Sequence, residues 1–451
     1  MSMSNHPKAY GTAALTVVFV AGILITLGFK DLFPDLERRF QRNRKRPTIS
    51  SDSQDDAPPS TYYIPLHLED HTRSTRHSVA GLPTLPIPSG IEGIIGHTPL
   101  FKIKSLSEAT GCTILAKAEF LNSAGGSPKD RVALNMITTA EETGLLTPYQ
   151  GDTIYEGTVG STGISLATLA RAKGYKAHIC MPSDQSIEKS TLLHHLGATV
   201  ERVTPAPITS IQHFVNLART RASEHEGKNG DGSKGFFADQ FESGANWKAH
   251  FQTTGPEIYE QTGGKIDGFV AGAGTGGTIS GISLFLKQEM GMQDLRVVLA
   301  DPSGSGLYNK IKHGVMFSPT EKEGTRRRQQ VDTIVEGIGI NRLTRNFEAG
   351  RDLIDDAVKV TDEQAMKMAR WLVEKDGIFV GSSSAVNCVA AVFTALRMPK
   401  DSRIVTILCD SGTRHLSKFW RLVGEMGLEE EHDNLDLLKL LDIKEKTEND
   451  R

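Results

Sequence analysis

Lys117-Ala-Glu-Phe-Leu-Asn-Ser-Ala-Gly-Gly-Ser-Pro-Lys129-Asp130-Arg131 is the stretch that decides the fold. The apolar run Thr113-Ile-Leu-Ala-Lys117 reads as a strand, a Gly/Ser turn follows it, and Arg131–Thr143 reads as a helix. Lys129 stands at the start of that helix. The positive end of the helix dipole disfavours a protonated amine there. An amine of lowered pKa is what imine chemistry requires. Taken alone, a solvated lysine at a helix start explains the pattern as well, so the rest of the chain has to decide.

Working outward, the same strand-to-turn pattern recurs. Short β-branched runs stand at TVERV, GFVAGAG, RVVLADP, GIFVGSS and IVTILCD, and helical stretches lie between them at Ile164–Lys173, Glu188–Leu196 and Thr361–Glu374. Strands that end in Gly/Ser/Thr clusters are the mark of open α/β sheets, which bind ligands at the carboxyl ends of their strands. Three further clusters carry candidate chemistry. Glu156-Gly-Thr-Val-Gly-Ser-Thr-Gly163 follows the strand DTIYEGT and offers N–H groups and hydroxyls to a carboxylate. Gly272-Ala-Gly-Thr-Gly-Gly-Thr278 has the form of a phosphate turn. Gly381-Ser-Ser-Ser384 opens an Ala/Val helix, where the serines serve either as caps or as partners for a ring nitrogen. The third cluster has a rival reading. Gly272, Gly274 and Gly277 satisfy GxGxxG, and Asp301 ends a later strand, as the ribose acid of a nicotinamide-binding fold does.

Composition sets the limits. The chain has 451 residues, a formal net charge of -3, 38% hydrophobic and 23% charged residues. These values exclude wholesale disorder and collagen-like repeats, and they argue against a general nucleic-acid binder. Four cysteines without CxxC spacing fit a reducing compartment, and no metal site reads off that spacing.

Thr12–Phe29 is an uncharged stretch, long enough as a helix to span roughly 27 Å. Arg38, Arg39, Arg42, Arg44, Lys45 and Arg46 follow it. A basic flank after the apolar stretch predicts a retained single-pass signal anchor with the C-terminal side in the cytosol. Such an anchor resembles those of the mitochondrial outer membrane, with the endoplasmic reticulum membrane as the alternative. Residues 47–88 are Pro/Ser/Asp/Thr-rich and read as a disordered linker. His225–Gly235 and Ser318–Gln330 read as surface insertions, and the acidic tail from 426 onward reads as a short docked or frayed helix with leucines at helical spacing.

Eight motifs in register resemble the cysteine synthase and cystathionine β-synthase family, over about Gly90 to Leu422. They are GHTPL (Gly96–Leu100), Ser127-Pro-Lys-Asp-Arg131, GTVGSTG (Gly157–Gly163), DQF (Asp239–Phe241), GTGGT (Gly274–Thr278), VEGIG (Val335–Gly339), GSSSA (Gly381–Ala385) and LCDSG (Leu408–Gly412). Within that family the chain is most similar to the fungal cysteine synthase 2 type. The resemblance implies a fold-type II, tryptophan synthase β-like α/β enzyme, with pyridoxal 5'-phosphate in the cleft between two open α/β domains. Residues 89–131 and 245–425 would form the larger, cofactor-binding domain, and 132–244 the smaller, substrate-loop domain. Lys129 would form the internal aldimine and act as the catalytic base. Gly274, Thr275, Gly276, Gly277 and Thr278 would hold the phosphate. Ser383 would meet the pyridine nitrogen, with Ser384 as the alternative. Ser161 would reach the cofactor's phenolic oxygen. Thr158, Thr162, Gln240 and Gly337 would bind the amino-acid substrate.

The implied reaction makes L-cysteine from O-acetyl-L-serine and sulfide, by β-elimination and addition through an aminoacrylate. The alternatives are another β-replacement or lyase reaction, a nicotinamide oxidoreductase, or a catalytically weak tethered relative. A homodimer is the expected assembly, without nucleic-acid partners or metal. Three departures from the family pattern stand out: Ser161 replaces an asparagine, Val159 a serine, and His97 the asparagine of GNTPL. No cysteine precedes Cys112, so the Cys–His pair of haem-bearing relatives is absent from the sequence.

Overall fold

The computed structural model describes residues 87–185, 187–225, 232–316, 333–427 and 436–442. The expected anchor, its basic flank, nearly all of the linker and the Ser318–Gln330 insertion lie outside the described residues. No helix among the described residues is long and apolar enough to cross a membrane.

Among the described residues, ten strands form two sheets. One holds β1 (Leu100–Lys102), β2 (Thr113–Ala118), β7 (Gly268–Gly272), β8 (Arg296–Pro302), β9 (Asp356–Val360) and β10 (Arg403–Leu408), in the order β1-β2-β10-β7-β8-β9. Only β1 is antiparallel to its neighbour. The other holds β3 (Thr153–Gly157), β4 (Lys176–Pro182), β5 (Thr199–Val203) and β6 (Gly235–Phe237), in the order β5-β4-β3-β6, all parallel. Parallel strands need crossover helices on both faces, so their residues are buried on both sides. β3 is buried at every position, and β8 at all but its first.

Each sheet has its own apolar core. Val132, Met136 and Ile137 of the helix Lys129–Glu142 pack with Ile154 and Ile179 under the small sheet. The helix Ser382–Ala395 is almost wholly buried and packs with Val270, Val298 and Ile404 of the large one. Leu437, Leu438 and Leu441 of the acidic tail dock on that same core.

Two expectations need correction. GIFVGSS forms no strand: Val380 makes an isolated bridge to Ser411, Phe379 is taken up by Trp420 (ring centroids 4.4 Å apart), and the chain turns at once into the helix at Ser382. The ends of the His225–Gly235 segment are not surface. His225 is buried between Tyr155 Oη and Ser233 Oγ, each 2.9 Å away, and Gly235 begins β6.

Candidate active site

The lysine turn is folded around its own next residue. Asp130 is buried, and its Oδ2 accepts the N–H groups of Gly125 (2.7 Å) and Gly126 (2.9 Å). Ser165 Oγ donates to Oδ1. Gly126 has φ +62, a left-handed conformation that glycine adopts without penalty. Arg131 fixes the helix from the other side. Its guanidinium donates to Glu119 through Nε and Nη2, both at 2.8 Å, and to Glu257 through Nη1 (2.6 Å) and Nη2 (2.8 Å). Lys117 Nζ joins Glu257 Oε2 at 2.6 Å and the Thr98 carbonyl at 2.6 Å. The His97 N–H also donates to Glu257 Oε1 (3.0 Å). GHTPL, the end of β2, the start of the lysine helix and the helix Gly255–Thr262 are thus tied into one buried charge cluster. Burial pushes the Glu257 carboxyl up, but Arg131 and Lys117 pull it down further, to about 2.

Lys129, between these two anchors, lines a cavity. Among the described residues its Nζ has no hydrogen-bond partner. Burial lowers its pKa, and the nearby Cys409 and Asp410 oppose that only in part.

The phosphate-type turn is closely packed. Gly276 has φ +84, and a methyl group there would lie 2.5 Å from Phe347 Cα. A methyl on Gly274 would meet the Gly337 carbonyl at 2.3 Å, and one on Gly277 would meet Asn246 Oδ1 at 1.9 Å. The first-turn N–H groups of the helix Gly277–Ser283 have no intrahelical acceptor. Thr278 Oγ1 pairs with His250 Nε2 (3.1 Å), and burial pushes the His250 imidazole down to about 3, so it is neutral. Gly274, Thr275, Gly276 and Thr278 line the cavity, while Gly277 sits beneath it.

The carboxylate-type turn is looser. It leaves β3 at Gly157 and enters the helix Ser161–Ala172. The Thr158 N–H donates to the Cys180 carbonyl (3.0 Å), and Thr162 Oγ1 donates to Gln240 Oε1 (2.6 Å). Thr158, Val159, Ser161, Thr162 and Gln240 all line the cavity. Val159 is 38% exposed, and a methyl group on Gly160 would touch nothing within 4 Å.

The three serines divide their work. Ser382 Oγ accepts the Glu336 N–H (3.0 Å) and Ser384 Oγ the Cys409 N–H (2.8 Å). Ser383 faces the Cys409 thiol, and of the three only Ser383 lines the cavity. Gly337, with φ +85, lines it as well.

Several residues there went unnoticed in the sequence. Asn387, one helical turn beyond Ser383, receives the Gly272 N–H and donates to the Ile407 carbonyl, each at 2.8 Å; its i+4 spacing was a usable signal. Asn246 donates to the Gln240 carbonyl (2.7 Å) and to Thr275 Oγ1 (2.9 Å), so one amide links the two turns. Lys189 reaches from the helix Ile187–His195 to Glu336 at 2.8 Å, and His415 Nε2 pairs with Asp410 Oδ2 at 2.9 Å. Only folding brings Lys189 and Glu336, 147 positions apart, together.

The cavity measures about 1450 Å³, room for a cofactor and an amino acid together. Its contents suit pyridoxal phosphate: an unpaired amine for the aldehyde, a glycine cradle that any side chain would fill, helix N–H groups for the phosphate, and a neutral hydroxyl at Ser383. They do not suit a dinucleotide. Asp301 is fully buried, caps the Tyr308 N–H (2.6 Å) and does not line the cavity.

Comparison with known proteins gives the same class. The family described as "Pyridoxal-phosphate dependent enzyme" matches residues 91–410. "Cysteine synthase 2" of Neurospora crassa is 68% identical over 95% of each chain. The "Putative mitochondrial cysteine synthase" of Saccharomyces cerevisiae is 55% identical over 76% of this chain and 86% of its own. The crystal structure of an O-acetylserine dependent cystathionine beta-synthase from Helicobacter pylori superposes with a TM-score of 0.61 at 32% identity, covering 74% of this chain and 99% of that one. The chain belongs to the pyridoxal-phosphate-dependent enzymes, in their cysteine synthase family. It is a fold-type II enzyme, and pyridoxal phosphate is its cofactor.

Proposed function

We propose that the protein is a cysteine synthase that replaces the acetoxy group of O-acetyl-L-serine with sulfide. The observation that carries this reading is the meeting of an unpartnered, half-buried Lys129 with a glycine cradle and a hydroxyl-lined turn in one cavity. The names of the relatives support the substrate pair. In this reading Gly274–Thr278 hold the cofactor phosphate, Ser383 meets the ring nitrogen, and Ser161 meets the phenolic oxygen. Thr158, Thr162 and Gln240 hold the substrate carboxylate, with Gly337 beside the amino acid. The larger domain is 89–131 with 245–425, and the smaller one is 132–244.

Bound, the cofactor supplies an electron sink for the charge left on the substrate α-carbon. The chain's own groups do the rest. The Lys129 amine, its pKa lowered by desolvation, accepts the α-proton at Nζ. Hydroxyl and N–H donors around the helix start at Ser161 orient the carboxylate, so that the α-proton faces Nζ. Ser383 presents a neutral hydroxyl rather than a carboxylate, which favours loss of the β-substituent over transamination. The test is borohydride reduction of the purified enzyme, followed by peptide mapping. The label is expected on Lys129, and Lys129→Ala is expected to lose both label and turnover. A label on another lysine would refute the assignment. A retained label with turnover of a different substrate pair would refute only the named reaction.

The same proposal includes the membrane. An uncharged stretch followed by six basic residues supports a single-pass anchor, and the name of the yeast relative supports the mitochondrion, here its outer membrane with the catalytic part in the cytosol. The endoplasmic reticulum is the alternative. Carbonate extraction of mitochondria is expected to leave the full-length chain in the pellet, and removal of residues 1–46 to release it. A homodimer is the assembly carried over from the family resemblance, and sedimentation velocity on the released form tests it.

A further inference from the structure

The sequence shows no metal-ligand spacing among its cysteines, yet the pairing of β4 with β5 creates one. His178 and Cys180 stand two residues apart on β4 and so face the same side of the small sheet. Glu201 lies opposite Cys180 in the ladder. His178 Nε2 is 3.1 Å from Glu201 Oε2, the Cys180 thiol is 3.9 Å from the same oxygen, and the three donor atoms lie within 4.8 Å of one another. Metal–ligand bonds of about 2.0–2.3 Å in a tetrahedron hold their donor atoms roughly 3.3–3.7 Å apart. The site is therefore near metal-binding geometry before any ion arrives.

The surroundings fit as well. Arg221 Nη2 donates to Glu201 Oε1 at 2.8 Å, the oxygen that a singly coordinating carboxylate leaves free. Such an outer partner orients a carboxylate ligand. The bond an ion would displace is the longer one, from Arg221 Nε to Oε2 (3.1 Å). The His178 ring is stacked on Tyr155, with centroids 5.0 Å apart. Cys180 is fully buried, while the His178 and Glu201 side chains are 18% and 28% exposed, which gives an ion a way in and a water the fourth position. None of the three residues lines the cofactor cavity.

We propose that His178, Cys180 and Glu201 bind a thiophilic divalent cation, zinc above all, at a site separate from the cofactor. A mixed N/S/O set favours zinc over magnesium or calcium. The protons balance as follows. Burial lowers the imidazole pKa, and a ligating Nε2 carries no proton, so the single proton of the neutral ring stands on Nδ1. The Arg221 guanidinium holds Glu201 ionised. The Cys180 thiol, pushed up to about 12 by burial, gives its proton to solvent, so one proton leaves per ion bound. The titratable and charged groups facing the site are Arg221 and Glu224 at the end of the helix Phe214–Ser223, and Tyr155 and Glu156 on β3. The Cys180 carbonyl accepts the Thr158 N–H at 3.0 Å, so an ion here grips the strand that is hydrogen-bonded to the start of the substrate turn.

The test is zinc chloride titration of the holoenzyme by calorimetry, in buffers of different ionisation enthalpy. Cobalt(II) replaces zinc for visible d–d absorption. We expect one ion per chain, close to one proton released, and a tetrahedral cobalt spectrum. Cys180→Ser should weaken zinc at least 100-fold, and His178→Gln, at a partly exposed position, at least tenfold. Cys409→Ser, in the cofactor cavity, should leave zinc binding intact. If Cys180→Ser does not fold, His178→Gln decides alone. The proposal fails if the wild type binds no saturating ion, if His178→Gln binds as tightly as the wild type, or if binding is lost with Cys409 rather than Cys180.

Discussion

The turn Gly272–Thr278 and the turn Thr158–Ser161 arise in the same way, each linking a parallel strand to a helix, yet they are built to opposite standards. In the first, a methyl group on Gly274, Gly276 or Gly277 collides with neighbouring atoms at 2.5 Å or less. In the second, Gly160 has open space around it and Val159 faces solvent. The first has one solution, set by packing. The second is held by a few hydrogen bonds and leaves side chains free to differ. The lesson is that the side of the cavity proposed to hold the cofactor is specified by shape, and the side proposed to hold the substrate by replaceable polar contacts.

Four changes put this contrast at risk, in order of expected effect. Glu257→Gln attacks the foundation of the hard side, because it leaves Arg131 and Lys117 under-compensated. Breaking one member of such a buried cluster costs about 3–5 kcal/mol, read as a loss in urea unfolding at pH 7. The pH dependence has a definite sign. The folded Glu257 carboxyl is depressed to about 2, so its contribution is complete above the ordinary carboxylate pKa and fades as pH falls toward 2. The gap between wild type and Glu257→Gln should therefore narrow below about pH 4. A gap that is constant with pH would show that the cluster acts by packing alone.

Gly276→Ala meets both a φ of +84 and Phe347. Overpacking and strain of about 1–3 kcal/mol should appear mainly as cofactor affinity, a loss of about 10- to 100-fold by fluorescence titration. Unaltered affinity would mean that the hard turn is no harder than the soft one. Val159→Ser with Ser161→Asn restores the family's polar groups on the soft side. A hydrogen bond to a charged group is worth about 1.5–3 kcal/mol, so cysteine formation from O-acetylserine should rise by about tenfold or more in steady-state kinetics. An unchanged or lower rate with cofactor retained would show the natural turn to be tuned to this reaction already. Gly160→Ala is the smallest case, within about 0.5 kcal/mol in stability. A large loss there would erase the contrast.

Sequence reading found what is local. Strands that end in glycine clusters, the lysine at a helix start and the leucines of the tail are patterns within a few residues, and each has its counterpart in the structure. What escaped is what folding joins. Arg131 and Glu257 are 126 positions apart, Lys189 and Glu336 147, and Asn246 meets Thr275 only because the helix Ala245–Ala249 packs beside the turn. GIFVGSS misled because β-branched, apolar residues suit a buried entry to a helix as well as a strand. Asp301 misled because a buried acid that caps a backbone N–H occupies the same place after a strand as a ribose acid does.

Asn246 has a consequence for how such a protein can change over generations. Its single amide nitrogen serves the Gln240 carbonyl beside one turn and the Thr275 hydroxyl of the other, while its oxygen fills the space that a side chain on Gly277 would need. Aspartate would lose both donations, and glutamine would be too long for the space. The substrate turn is therefore free to explore new residues at 159 and 161 while its rear wall stays tethered to the phosphate turn. Innovation in substrate choice is cheap at the rim of this cavity and blocked at its hinge with the cofactor, so new activities in this scaffold are reached through the exposed turn first.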